Sequence, residues 1–164
     1  MDSSCPPDDH WLATLERHQL KQLLGPRLFG PVLASHCRYV QPPALVEAGQ
    51  RVAALVTDET SALSENFEVS VHVKDDVVAL GRCSRCPANS GLCVHSGVLL
   101  ADLACSRPLR DALLHGNQVS ELAEAAPLTR RALHLELQFD RALSTWVSHA
   151  TPPIELEIAA TPLS

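Results

Sequence analysis

The chain has 164 residues, of which 46% are apolar types and 20% charged, a balance that fits one globular domain with small appendages and excludes a disordered chain. Thirteen basic against nineteen acidic side chains leave a net charge of −6, which excludes a broad nucleic-acid footprint but not a local basic patch. No apolar run approaches the ~20 residues of a membrane span, and the opening MDSSCPPDDH has neither the basic nor the apolar region of a secretory signal, so a cytoplasmic protein without membrane association is expected.

Residues 1–8 are polar and carry two prolines, which predicts a loose tail. Asp8 or Asp9 can cap a helix running to about Leu24, with Trp11, Leu12, Leu15, Leu20 and Leu23 on its apolar face and Gly25-Pro26 as its stop. Residues 25–50 are rich in glycine and proline and read as turns around short extended pieces. Arg51–Thr57 is a continuous apolar run of strand type. Phe67, Val69, Val71 and Val73 then alternate with Glu68, Ser70 and His72, the period of a half-buried strand. Lys74-Asp75-Asp76 makes a turn and Val77–Arg82 returns as its hairpin partner.

Cys93–Cys105 reads as a helix with Val94, Val98, Leu99 and Leu103 inward. Ser106 and Pro108 open another, ended by Gly116, and residues 118–126 are helical up to Pro127. Beyond that point the pattern fits two periods. Leu133, Leu135, Leu137 and Phe139 alternate as a strand would, while Leu128, Ala132, Leu135, Phe139, Leu143 and Trp146 fit a helical stripe. The expectation taken is a strand over 132–139, because a second alternating run, Ile154–Ile158, could pair with it. The fold class expected is α+β, a small antiparallel sheet with flanking helices.

Six cysteines, at 5, 37, 83, 86, 93 and 105, are many for a chain without a secretory signal. In a reducing compartment they are metal ligands or free thiols before they are disulfides. Cys83, Cys86, Cys93 and His95 are spaced C-x2-C-x6-C-x-H. A short turn lets Cys83 and Cys86 converge, Pro87, Asn89 and Gly91 let the chain loop back, and Cys93 and His95 sit in the first turn of a helix. Three thiols and an imidazole are a closed donor set for one structural Zn²⁺. Two other readings stand beside it: small buried hydrophobes, and a redox C-x-x-C pair.

Arg82 and Arg85 flank the cluster. They could donate to the sulfurs, point outward to a nucleic-acid or acidic protein partner, or be solvated. Cys5, Cys37 and Cys105 have no ligand-spaced neighbours and read as packing or free thiols, and His36-Cys37 lacks a second pair for another metal site. Asp75-Asp76 reads as a turn, not a catalytic carboxylate pair. Neither a phosphate-binding loop nor a nucleophile elbow is present. With a closed site leaving no coordination position for substrate, no enzyme is expected.

The arrangement resembles the SWIM-type zinc finger, C-x-C-xn-C-x-H between a β-hairpin and a helix. The matching residues are Cys86, Cys93 and His95, with n = 6 and the helix VLLADL following. The departure is in the first pair, where Ser84 and Arg85 separate Cys83 from Cys86 in place of a single residue. The preceding hairpin and the Cys-Pro start of the loop look like the SWIM regions N-terminal to bacterial Swi/Snf-type helicase-like ATPases. The likeness covers about residues 27–105, leaving 1–26 as a tail and helix and 106–164 as a C-terminal extension. It implies a non-catalytic zinc module that contacts proteins or DNA, accessory to a separately encoded helicase-like ATPase, and the acidic balance favours protein partners. The alternative is a zinc-linked thiol redox sensor using Cys83 and Cys86.

Overall fold

The computed structural model describes residues 10–63, 65–74, 78–86, 91–116 and 119–149. A single turn, α1 (Trp11–Thr14), is followed by a 3₁₀ turn at Arg17–Gln19 and by α2 (Leu20–Leu33). Asp8 and Asp9 lie outside the described residues, and the observed cap of α1 is His10, whose Nδ1 accepts the amide of Leu12 at 3.2 Å. The expected helix to Leu24 is thus interrupted at Leu15, which is extended and buried. Tertiary contacts hold this entry, because the Trp11 indole donates to the Gln50 carbonyl at 3.2 Å.

Gly25-Pro26 ends the first helical stretch, as expected, but the chain does not leave the helix for long. Gly25 adopts φ 73°, ψ 168°, and Pro26 then starts a second helical stretch that reaches Leu33. Glycine supplies a φ that other residues avoid, and proline is suited to a first helical position, so the pair makes a kink. Val32 and Leu33 at the far end are buried.

Four strands follow, β1 (Cys37–Val46), β2 (Arg51–Asp58), β3 (Asn66–Lys74) and β4 (Val78–Cys83), paired antiparallel in the order β1-β2-β3-β4. The expectation of short extended pieces before residue 50 therefore gives way to the 10-residue β1. Its two prolines, Pro42 and Pro43, are tolerated because β1 is an edge strand and its register slips between Gln41 and Ala44. The β3–β4 pairing is the hairpin expected from the alternation, while the turn at 75–77 lies outside the described residues. Cys37, Val52, Ala54, Val56, Phe67, Val69, Val71 and Ala79 are buried in one apolar cluster with the helices. The architecture is α+β.

Against that cluster packs α3 (Val94–Cys105), in which every residue from Ser96 to Ala104 is buried. Its contact with α2 is close enough that a Cβ on Gly97 would meet Val32 Cγ2 at 2.7 Å. The next helix, α4 (Arg107–His115), has the ends the sequence predicts: the Ser106 hydroxyl accepts the Leu109 amide at 3.2 Å, and Gly116 closes it with φ 74°. Arg110 reaches back to donate to the carbonyls of Leu103 and Ala104 at 2.7 and 3.1 Å, capping the C-terminus of α3.

The last element, α5 (Val119–His149), overturns two expectations. It runs through Pro127, and residues 132–139 are helix, not strand; Ile154–Ile158 lies outside the described residues. Ala123, Ala126, Arg130 and Leu133 are all buried, at helical spacings of 3, 4 and 3, whereas Leu128 is 68% exposed. Proline costs the helix a hydrogen bond, about 3 kcal/mol, and burial of this face opposes that cost. The chain divides into two compact units, one ending at His134 and one beginning at Leu135. In the second, residues 135–149 are helical, and Leu135 and Phe139 are exposed.

A buried charge network ties the first unit together. Arg130 Nε donates to Asp102 Oδ1 at 2.8 Å, both side chains being fully buried. The Arg130 Nη atoms donate to the carbonyls of Ser35 (3.2 Å) and Cys37 (2.9 Å), and the Tyr39 hydroxyl donates to Asp102 Oδ2 at 2.8 Å. Removing one partner strands a buried charge, so Arg130→Met is expected to lower the unfolding free energy by about 3–5 kcal/mol in urea denaturation. Adding Asp102→Leu is expected to recover part of that loss.

Candidate metal centre

Strand β4 delivers Cys83 at its last residue, and the turn after it brings Cys86 back toward the sheet. The chain re-enters α3 through Cys93, which is the N-cap. Cys93 Sγ accepts the Ser96 amide at 3.4 Å, while Ser96 Oγ accepts the Cys93 amide at 3.0 Å. This reciprocal pairing is a capping box with a thiol in the hydroxyl's place. It fixes the Cys93 side chain and aims the helix N-terminus, which favours negative charge, at the sulfur.

Cys83, Cys86, Cys93 and His95 place their ligand atoms within 4.8 Å of one another. His95 faces the cluster with Nδ1, which lies 3.6 Å from Cys83 Sγ and 3.3 Å from Cys86 Sγ. A tetrahedral ion bound at about 2.3 Å to sulfur and about 2.0 Å to nitrogen has sulfur–nitrogen edges of about 3.5 Å. The sulfur–imidazole distances match that edge, so this Cys3His group can hold a metal ion.

Gly81 makes the approach possible. A Cβ there would fall 2.7 Å from Ser96 Oγ and 2.8 Å from Leu92 Cδ2, so β4 reaches the start of α3 only because residue 81 has no side chain. The His95 ring is held from the side by Phe67, in an edge-on contact with centroids 4.5 Å apart.

The metal-free cluster divides its protons unevenly. Burial raises the Cys83 thiol, and burial together with the neighbouring Cys93 and Cys83 pushes Cys86 up to about 12. Burial also acts on Cys93, but hydrogen bonds from Ser96, Cys86 and Cys83 outweigh it and bring that thiol below its ordinary value. Burial, with the Arg85 charge, lowers His95 and so favours the neutral imidazole that a metal requires.

The two flanking arginines separate. Arg85 lies over the Phe67 ring, 5.5 Å from its centroid, and donates to Ser61 Oγ at 3.2 Å. Arg82 is exposed and pairs with Ser70 across the ladder, so strand alternation directs it to the opposite face from Cys83. It lines a groove of about 1130 Å³ with Arg51, His72, Glu47 and Glu68, and the same groove runs along β4 to Cys83, Cys86 and Cys93.

Several neighbours of the cluster escaped the sequence reading. Ser96 carried a usable sign, a serine three residues after the N-cap. Asp58, Phe67 and Cys37 carried none. Cys37, which the sequence reads as a packing or free thiol, is buried, yet the ladder pairs it with Asp58, and both lie within 4.8 Å of His95. Cys105 is half-buried and its thiol is pushed up to about 11, chiefly by burial. Cys5 lies outside the described residues.

Metal ligation needs thiolates, and two of the three thiols here are raised. Uptake must expel their protons, so affinity falls as pH falls. Between pH 6 and 8 the logarithm of the metal association constant is expected to rise by about 2–3 per pH unit, measured by chelator competition. Comparison of the chain with protein-family models, with curated proteins and with solved structures finds no match.

Proposed function

We propose that the chain is a zinc-binding, non-catalytic interaction module of SWIM type. The observation that carries this reading is the Cys3His group closing around one point, with His95 Nδ1 at 3.6 and 3.3 Å from two of the sulfurs. Thiolate and imidazole donors in tetrahedral arrangement select zinc over the hard cations, which prefer oxygen. Four protein ligands leave no position for substrate or water, so the ion serves structure. It links the end of β4 to the start of α3.

That link steadies the groove beside β4. Arg51 and Arg82 bring cations to it, Glu47 and Glu68 bring anions, and His72 and the cluster cysteines complete the wall. Such a mixed lining suits a polar protein segment better than a phosphate backbone. A protein partner is therefore the favoured reading, with a helicase-like ATPase suggested by the SWIM resemblance alone. Among the described residues no helix is long and apolar enough to cross a membrane. The redox alternative draws no support from the metal-free thiols, since a reactive pair needs a depressed pKa and Cys83 and Cys86 are both raised.

Elemental analysis of protein purified in metal-free buffer tests the reading. About one zinc per chain is expected for the wild type and none for Cys93→Ser. An absence of zinc in the wild type would overturn it. With zinc present, DNA binding at physiological salt is expected to be undetectable by fluorescence anisotropy. A tight complex whose affinity falls steeply with salt, and whose salt slope flattens in Arg82→Ala, would make DNA the partner.

A further inference from the structure

We propose that Asp58 is the positioning residue of the metal centre: when the metal binds, its carboxylate accepts the Nε2–H of His95 and so holds Nδ1 toward the ion. The inference rests on the zinc reading and goes beyond it, because it assigns a task to a residue outside the Cys3His set.

Asp58 ends β2, directly across the ladder from Cys37, and polar atoms of Cys37, Asp58 and His95 lie within 4.8 Å of one another, so a small turn of the imidazole as it takes up the ion brings it within hydrogen-bond reach of the carboxylate. One edge of the imidazole is committed, since Nδ1 faces the sulfurs of Cys83 and Cys86. The nitrogen left for a group on the sheet side is Nε2. Of the two candidates there, Cys37 is 1% exposed, and burial raises its thiol, so it stays a weak, neutral partner. Asp58 is the charged acceptor.

The carboxylate is also held in place. Its Oδ1 accepts the Thr60 amide at 3.0 Å and the Thr60 hydroxyl at 2.7 Å, which fixes the side chain and leaves Oδ2 for another donor. A metal-bound histidine commonly donates its second N–H to a carboxylate, which selects the tautomer and orients the ring. Phe67 limits rotation from another side.

Asp58→Asn keeps the shape and an oxygen for Thr60, but turns an N–H donor toward the imidazole. It then favours the tautomer protonated at Nδ1, which cannot ligate. The experiment first measures zinc stoichiometry and affinity of the wild type by chelator competition. A wild type without zinc removes the zinc reading itself, whatever Asp58 does. With zinc bound, Asp58→Asn is expected to weaken binding about 10–100-fold.

The same substitution is made in a His95→Cys background, where no imidazole needs orienting, and there its cost is expected to stay within about twofold. Unchanged affinity in Asp58→Asn alone, or an equal loss in both backgrounds, would overturn the proposal, the latter showing that Asp58 acts through the end of β2. If His95→Cys does not fold, long-range ¹H–¹⁵N spectra of the zinc-loaded wild type decide. A protonated Nε2 and a metallated Nδ1 are expected, and the reverse would overturn the assignment.

Discussion

A guanidinium with no exposed surface is costly unless it is paired and hydrogen-bonded, and in the interior of the first unit each of the three nitrogens of Arg130 donates to a partner. Its three partners come from two separate places: Asp102 on α3, and the carbonyls of Ser35 and Cys37 where the chain passes from α2 into β1. Tyr39 closes the second oxygen of Asp102 from β1. None of these groups can shift alone without leaving a charge or a polar atom unmatched in a low-dielectric surrounding. The network therefore admits one arrangement of α5, α3 and the start of the sheet, where apolar packing by itself would tolerate several. Buried ion pairs are weak evidence for stability, and their better-attested contribution is this kind of selection among alternatives.

The candidate metal centre depends on that arrangement. Helix α3 is specified along its length, by the Cys93–Ser96 capping box at one end, by Asp102 in the middle, and by Arg110 on its last carbonyls. A helix held in this way presents Cys93 and His95 at a set distance from β4. Gly81 then removes the one side chain that would keep strand and helix apart. Cys37 joins the two systems, because its carbonyl receives Arg130 while its residue pairs with Asp58 beside His95. Chemistry at the cluster and order in the core meet on the same short segment of β1.

The uneven protonation of the thiols has a physical origin in the same geometry. Cys93 sits where the amide and hydroxyl of Ser96 converge, so a negative charge is accommodated there before any ion arrives. Cys83 and Cys86 have burial against them and a neighbouring thiolate besides. An incoming cation reverses that balance by supplying the opposite charge, so the cluster suits a bound cation better than three free thiolates.

Much of this was legible in the amino-acid sequence. The spacing of Cys83, Cys86, Cys93 and His95 named the cluster, because ligands delivered by a short turn and by one helical turn depend only on local geometry. The alternation of Phe67–Val73 named the β3–β4 hairpin, and Ser106 and Gly116 marked the ends of α4, again through local rules. The C-terminal segment was different. Leu133, Leu135, Leu137 and Phe139 satisfy a strand as well as they satisfy half of a helix, and composition cannot choose between them. The choice falls to Arg130, whose pairing with Asp102 across 28 positions requires Ala123, Ala126, Arg130 and Leu133 to share one buried face. The approach of Cys37 and Asp58 to His95 is of the same kind. Local periodicity and ligand spacing are properties of a few consecutive residues and can be read from them; partners far apart in the chain are chosen by burial and charge, which exist only once the chain has folded.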